Sequence, residues 1–123
     1  MILAKPPLHV HVGRAVGSGH CVALVQRLGA PHTSRWRRGA KVRDGDVPEL
    51  AVIATFDAAG RYANATDGQS HVAVFLEQTP KGLRVFDQWK GRPAGERVIQ
   101  FRGGGTPADD GDAYYVVEEE AAV

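Results

Sequence analysis

The sequence predicts an α+β fold, in which a helix near the N-terminus packs on one face of an antiparallel sheet. The spacing i, i+3, i+4, i+7 of one apolar helix face is found at Cys21, Leu24, Val25 and Leu28. Downstream, short apolar or alternating runs are separated by glycine- and proline-containing turns, a pattern typical of strands. A run of strands that follows a helix indicates the α+β class.

The predicted helix carries Cys21, the only cysteine of the chain. Ser18 is a candidate N-cap, and Gly29 suits the left-handed residue that ends a helix. Cys21 would then lie in the first turn, where unpaired backbone N–H groups favour the reactive thiolate. A single cysteine on an apolar face is more often a small buried side chain. A reactive role therefore needs a partner elsewhere in the chain.

Five strands are predicted after the helix. They cover residues 51–56, 71–78, 83–89, 96–102 and 113–118. Residues 57–70 form a loop that is long for a compact domain and is therefore expected to line a site. Thr33 or Ser34 is expected to cap a helical turn ending at Gly39. Residues 1–16 are expected to form an arm with a short edge strand, residues 103–112 a flexible loop, and residues 119–123 a solvated tail.

Length and composition indicate one domain spanning residues 1–123, with a core of its own. The chain has a formal net charge of +1, which predicts no nucleic-acid partner, and one cysteine cannot form an internal disulfide. No apolar run has the length of a membrane span, and the first residues lack the pattern of a signal peptide. These observations predict a protein that is cytoplasmic unless a dedicated machine exports it.

His71 is the candidate partner of Cys21, because it opens a predicted strand directly after the long polar loop. A hairpin with its tip at residues 80–81 pairs Gln78 with Leu83. Continuing this register sets Ala73 opposite Gln88, so Gln88 would share the face of His71. A one-residue slip or a β-bulge would place Asp87 there instead. Either Asp87 or Gln88 is therefore the candidate that orients the imidazole.

A thiol, an imidazole and a hydrogen-bond acceptor are the three groups that nucleophilic amide chemistry requires. The imidazole takes the thiol proton, while the third group fixes its orientation. Backbone N–H groups at the helix start could stabilise an oxyanion. The aromatic residues expected to contact a substrate are Trp36, Tyr62 and Trp89.

Three motifs carry a family resemblance: G-H-C-V-A-L-V at residues 19–25, G-Q-S-H-V-A-V-F-L at 68–76 and V-F-D-Q-W at 85–89. Together they resemble the CHAP and NlpC-type papain-like cysteine amidases. The chain is also similar, over about residues 13–118, to a small uncharacterised bacterial family of that fold. That family shows T-x-x-W-x-x-G and A-x-I-A-T-F, found here at residues 33–39 and 51–56.

The resemblance implies a papain-like domain with a five- to six-stranded antiparallel sheet. It implies hydrolysis of amide bonds, typically in bacterial peptidoglycan, with Cys21 as nucleophile, His71 as base, and Asp87 or Gln88 as third member. No cofactor is expected. By family analogy, the chain would be a type VI secretion effector, exported to a target periplasm and neutralised by an immunity protein.

Two other functions compete with this interpretation. The first is a catalytically silent binding module on the same fold, since fold alone does not define function. The second is a zinc site built from Cys21 with His9, His11, His20 or His71, of which the H-x-H pair at residues 9–11 is the only local signal. A phosphate-binding loop at residues 13–19 is excluded because no G-K-[ST] follows it. Residues 109–112 resemble a calcium loop in composition alone.

Overall fold

The computed structural model describes residues 1–102 and 105–120, and it confirms the α+β class. Helix α1 spans Cys21–Arg27. The strands are β1 Trp36–Lys41, β2 Val52–Ala54, β3 Val72–Gln78, β4 Gly82–Trp89, β5 Arg92–Gln100 and β6 Tyr115–Glu119. Short 3₁₀ turns lie at His9–His11, Thr33–Arg35, Pro107–Asp109 and Gly111–Ala113. No helix in these described ranges is long and apolar enough to cross a membrane.

The six strands form one antiparallel sheet in the order β1-β6-β2-β3-β4-β5. Strands β2 to β5 are neighbours in chain order, as the predicted meander requires. The last strand, β6, departs from that pattern because it returns to pair with β2 and carries β1 on its outer side. Strands β6 and β1 therefore extend the sheet on the side of β2 that faces away from β3.

Helix α1 lies on one face of the sheet and contacts β3 and β4. Leu24 and Val25 are fully buried there and belong to the same apolar cluster as Val72 and Val74 of β3. The alternate residues of β3, including Ala73, point into a second cluster on the opposite face. This alternation confirms the predicted faces of β3 and fixes which residues approach the helix.

Three predicted boundaries of secondary structure are wrong. Residues 33–39 are not one helical turn, because β1 begins at Trp36 and the preceding 3₁₀ turn is capped by the His32 side chain. The edge strand expected around residues 8–12 is instead the 3₁₀ turn at His9–His11. The fourth predicted strand begins at Arg92, four residues before its expected start.

The two ends of the chain pack more closely than predicted. In the N-terminal arm, Ile2 and Ala4 are buried, and Leu3 forms a bridge with Ala51. At the other end, Glu119 belongs to β6, and the N–H of Glu120 donates to a backbone carbonyl of the segment before β1. Residues 121–123 of the predicted tail, and residues 103–104 of the predicted loop, lie outside the described residues.

Candidate active site

Cys21 is the first residue of α1, at one end of the sheet, and is half-buried. The residue before the helix is His20, in an extended conformation, so Ser18 is not the N-cap as predicted. The chain turns tightly into the helix at Gly17, whose φ of +59° favours glycine. A Cβ at Gly17 would lie 2.9 Å from the Cβ of Ala23, so a larger residue would displace the first turn.

His71 immediately precedes β3 and is 4% exposed. Its backbone N–H donates to the Thr55 hydroxyl at 3.0 Å, and its carbonyl accepts from the N–H of the same threonine. These two bonds join His71 to the end of β2. The backbone of His71 is therefore fixed before the side chain makes any contact.

The Cys21 thiol and the His71 imidazole face each other and perturb each other's ionisation. Burial raises the pKa of Cys21, but the hydrogen bond and the positive charge of His71 outweigh it, so the pKa falls below its usual value of 9.0. The Tyr62 hydroxyl and the backbone N–H of Val72 lower it further. The arrangement therefore favours a thiolate beside an imidazolium.

Burial lowers the pKa of His71, yet hydrogen bonds to Asp87 and Cys21 raise it to about 9. His71 Nε2 donates to Asp87 Oδ2 at 2.7 Å. With Nε2 engaged in this way, the other ring nitrogen, Nδ1, is the one directed to the sulfur. The side chain of Asp87 thus orients the ring and stabilises its protonated form.

Asp87 is completely buried and is held by two arginines as well as by His71. Arg97 Nε donates to Oδ2 at 2.9 Å, and an Arg92 terminal nitrogen donates to Oδ1 at 2.9 Å. Burial raises the pKa of Asp87, but its bond with His71 and the charges of His71 and Arg97 bring it below its usual value. The carboxylate is therefore ionised and acts as an acceptor only.

A β-bulge decides which residue of β4 meets His71. The predicted pair Gln78–Leu83 is confirmed, but the register shifts between Phe75 and Glu77. Beyond the bulge, Val74 lies opposite Phe86 rather than opposite Asp87. The one-residue shift turns Asp87 to the face of His71, as the second alternative predicts, and the prediction that Gln88 shares this face is wrong.

Gln88 holds the segment before Cys21 instead. Its side chain is fully buried on the helix side of β4. Its Oε1 accepts from the N–H of Val16 at 2.9 Å, and its Nε2 donates to the carbonyls of Val16 and His20, both at 2.8 Å. Because His20 directly precedes Cys21, these bonds fix the position from which the thiol side chain projects.

The three predicted substrate-contacting aromatics have different environments. Trp36 is 1% exposed, and its indole N–H donates to the Pro31 carbonyl, so the structure corrects its role to a core residue. Its ring packs at 4.9 Å against Tyr62, whose hydroxyl lies 3.6 Å from the Cys21 sulfur. Trp89 is 40% exposed, with its ring 6.2 Å from that of His71. Trp89 lines the cavity and stays a candidate for contact with a bound molecule, whereas Tyr62 contacts the sulfur and is not among the residues that line the cavity.

A cavity of about 680 Å³ opens over the sulfur and the imidazole. Its walls come from the start of α1, the loop before β3, the end of β4, and the turn at Pro107–Asp109. Trp89 and Arg97 line one side of it. A volume of this size accommodates a short peptide segment or a similar small molecule.

The zinc alternative finds no ligand set in the part of the chain that the structure describes. No group of three or more His, Cys, Asp or Glu side chains is placed there to hold a metal ion. His9 and His11 lie on the 3₁₀ turn of the N-terminal arm, whereas Cys21 and His71 face the cavity. The H-x-H pair therefore does not contribute to this site.

Sequence reasoning missed Arg92 and Arg97, which surround Asp87. The signal that could have found them is the need of a buried carboxylate for cationic partners. Gly95 lies directly opposite Asp87, and a Cβ there would lie 3.7 Å from the Arg92 guanidinium. That distance is an ordinary van der Waals contact, so the two arginines flank Gly95 without depending on its missing side chain.

Fold and site together define a class of small α+β proteins with a thiol–imidazole–carboxylate site at the end of an antiparallel sheet. A family model described as domesticated amidase effector 2 (Dae2) matches residues 5–117. The chain belongs to this family. The match names a small amidase effector family and names neither the CHAP nor the NlpC amidases that the sequence motifs resemble.

Individual relatives agree with the family assignment. The chain is 34% identical over 110 residues to a domesticated amidase effector 2 of Ixodes scapularis, with 84% of this chain and 73% of the relative covered. It is 38% identical over 119 residues to a type VI secretion amidase effector 2 protein of Salmonella typhi, with 84% and 88% covered. A solved structure of type 6 secretion amidase effector 2 (Tae2) has a TM-score of 0.74 and 30% identity, covering 97% of this chain and 89% of its own.

Proposed function

We propose that this protein is a cysteine amidohydrolase of the papain-like type, which cleaves an amide bond in the peptide part of bacterial peptidoglycan. The observation that carries the proposal is the position of His71, between the Cys21 sulfur and the buried Asp87 carboxylate at the floor of a cavity. The relatives named as amidase effectors support the reaction class. Cys21 is the nucleophile, His71 the acid and base, and Asp87 the residue that orients His71.

In the first half of the reaction, the Cys21 thiolate attacks the carbonyl carbon of the substrate amide. The carbonyl electrons move to oxygen, and backbone N–H groups at the start of α1 stabilise that oxyanion. When the tetrahedral intermediate collapses, His71 Nδ1–H gives its proton to the leaving nitrogen. The C–N bond breaks, an amine departs, and a thioester joins Cys21 to the acyl group.

In the second half, a water molecule replaces the amine. His71, now neutral, removes a proton from this water as its oxygen attacks the thioester carbon. The C–S bond breaks, the products are a carboxylic acid and the Cys21 thiolate, and His71 is again protonated. The imidazolium–thiolate pair is thereby restored with no net change in the enzyme.

The proposed biological setting is that of a type VI secretion effector. The relative from Salmonella typhi carries that description, and 84% of this chain aligns with it. In this setting the protein acts on the peptidoglycan of a target periplasm, and the producing cell holds an immunity protein against it. A periplasmic site of action predicts that expression with an export signal lyses bacteria, while expression of the unmodified chain in the cytoplasm does not.

The reaction is tested by digestion of purified sacculi, followed by separation and mass determination of the released muropeptides. We expect wild type to generate new amine and carboxyl ends, Cys21→Ala to generate none, and His71→Asn to be slower by about 10²- to 10⁴-fold. His9→Asn is the matched histidine control and is expected to retain full activity, because His9 lies outside the cavity. Equal digestion by wild type and Cys21→Ala would contradict the proposal.

Absence of digestion by every variant, with lysis absent too, would favour the catalytically silent binding module. A second readout then separates the two functions. Labelled iodoacetamide reports thiolate reactivity without any substrate, and the enzyme requires rapid labelling of Cys21 at neutral pH. A binding module has no such requirement and would retain sacculus binding in Cys21→Ala.

A further inference from the structure

We propose that Arg97 forms a carboxylate-binding subsite in the cavity, so that the preferred substrates carry a free carboxylate close to the scissile amide. The inference deepens the proposed function and rests on it. It assigns a substrate feature to one residue of β5 that lines the cavity beside His71 and Trp89.

The guanidinium of Arg97 is fixed in place by two contacts. Its Nε donates to Asp87 Oδ2 at 2.9 Å, and its plane lies 4.6 Å from the centre of the Trp89 ring. The nearest further acid, Asp109, has its Oδ1 3.9 Å from the Arg97 terminal nitrogen, which is beyond hydrogen-bond length. The terminal N–H groups therefore keep donor capacity toward the cavity while the side chain is held still.

The charges around Asp87 leave an excess of positive charge at this wall. One carboxylate is shared by two arginines, Arg92 and Arg97, and by His71. Asp87 carries one negative charge and the two arginines carry two positive charges, so one positive charge among these three side chains is left over. The side chain of Asp109 is 64% exposed, and its attraction is weakened by solvent.

A fixed guanidinium whose terminal N–H groups donate no hydrogen bond within residues 1–102 and 105–120 matches the geometry of a carboxylate, which it binds through two parallel hydrogen bonds. Besides Arg97 and the histidines, Lys90 is the basic side chain among the described residues that line the cavity. It is exposed, and its ammonium donates to the Ser18 carbonyl at 3.2 Å. A flexible and strongly hydrated ammonium selects less well among anions, so we assign the subsite to Arg97.

The test compares two forms of one substrate. Soluble muropeptides that wild type cleaves are used as isolated, and after their carboxylates have been converted to methylamides with carbodiimide and methylamine. We expect the kcat/KM of wild type to be about tenfold or more higher on the free carboxylates, because a pair of charge-assisted hydrogen bonds contributes at least that much binding free energy. In Arg97→Gln, the ratio of kcat/KM on the free carboxylates to kcat/KM on the methylamides is expected to fall to about threefold or less. The change is expected mainly in KM for the free carboxylates.

Arg92→Gln is the matched control. Arg92 also bonds to Asp87, and its guanidinium also packs on Trp89, at 4.8 Å, but it does not line the cavity. Both variants are expected to lower kcat on both substrates because both weaken the support of Asp87. Only Arg97→Gln is expected to lose the preference for carboxylates.

An equal preference in Arg92→Gln and Arg97→Gln would overturn the proposal, because Arg97 would then act through Asp87 alone. If Arg97→Gln does not fold, Arg97→Lys is tested in its place. The preference of Arg97→Lys for free carboxylates should fall at least threefold, and an unchanged preference refutes the subsite. If wild type cleaves both substrate forms equally, the subsite is refuted while the amidase function stands. If wild type cleaves no muropeptide at all, the proposed function fails, and the subsite that rests on it fails with it.

Discussion

Replacement of Asp87 by asparagine tests how the buried carboxylate controls the thiol–imidazole pair. The carboxylate is unexposed, and its Oδ2 accepts from His71 Nε2 at 2.7 Å. The amide side chain of asparagine has nearly the same shape but carries no charge. The hydrogen bond to Asp87 is the strongest of the interactions that raise the pKa of His71 to about 9, so we expect that pKa to fall in the variant.

The expected loss of activity follows from the lost charge, because the asparagine oxygen still accepts a hydrogen bond but a weaker one. Hydrogen bonds to charged and to neutral groups differ by about 1–1.5 kcal/mol, which corresponds to a decrease of about 5- to 15-fold in kcat/KM. The pH profile should change as well. In wild type, His71 loses its proton as the pH rises through about 9. The enzyme then lacks the acid that protonates the leaving nitrogen. In Asp87→Asn, this decrease in rate should begin at a lower pH.

The assay is kcat/KM for muropeptide release between about pH 5 and 10, together with the rate of Cys21 alkylation by iodoacetamide, which reports the thiolate alone. Asp46→Asn is the matched control, because Asp46 is exposed on the loop between β1 and β2. The reasoning is refuted if Asp87→Asn retains the basic limb of wild type near pH 9. It is also refuted if the Asp46 variant shifts the limb equally.

The same substitution changes the dependence of stability on pH. His71 has a raised pKa in the folded state, so its contribution is complete below about pH 6.5, the unfolded value, and is lost as the pH rises through about 9. Asp87 has a lowered pKa, so its contribution is present above about pH 4 and is lost as the pH falls through the folded value. Urea unfolding should show both dependences in wild type and a flatter curve in Asp87→Asn.

Three further substitutions probe other parts of the site. Tyr62→Phe removes the hydroxyl 3.6 Å from the sulfur, so alkylation of Cys21 at neutral pH should slow by about tenfold, while Tyr115→Phe leaves it unchanged. Gln88→Leu leaves the buried Val16 N–H without its partner, while the Val16 and His20 carbonyls keep the N–H groups of Gly19 and Ala23, and urea unfolding should show a loss of about 1–3 kcal/mol. Leu24→Ala empties a fully buried position under the helix and should cost about 2–5 kcal/mol in the free energy of unfolding, with Cys21 still alkylated under native conditions.

The sequence is sufficient to predict the helix of Cys21, five of the six described strands and the hairpin that carries Asp87. These features depend on local periodicity, which the apolar face of α1 and the alternation of β3 display clearly. Strand β1 was not predicted because only Trp36 of its six residues is buried. An edge strand with one buried residue has no alternation to recognise.

The site was harder to predict than the fold because its residues meet through tertiary contacts. Cys21 and His71 were predicted from residue type and from their places at the start of a helix and of a strand. Trp36 was misassigned because a tryptophan in a polar, arginine-rich segment has the same sequence pattern whether its ring is buried or exposed. Arg92 is missed because the predicted strand starts four residues too late, whereas Arg97 lies within the predicted strand and is missed because its place beside Asp87 depends on the register of β5 against β4.

Asp87 and Gln88 show how a single register shift divides two roles between adjacent residues. Because strand side chains alternate between faces, only one of the two can meet His71. The bulge beyond Phe75 gives that role to Asp87, and Gln88 then necessarily points to the helix side, where it bonds to the residue before Cys21. The support of the imidazole and the support of the thiol therefore come from consecutive residues of β4. Two consecutive residues near the end of β4 thus support both reacting groups, although these groups lie fifty residues apart in the chain.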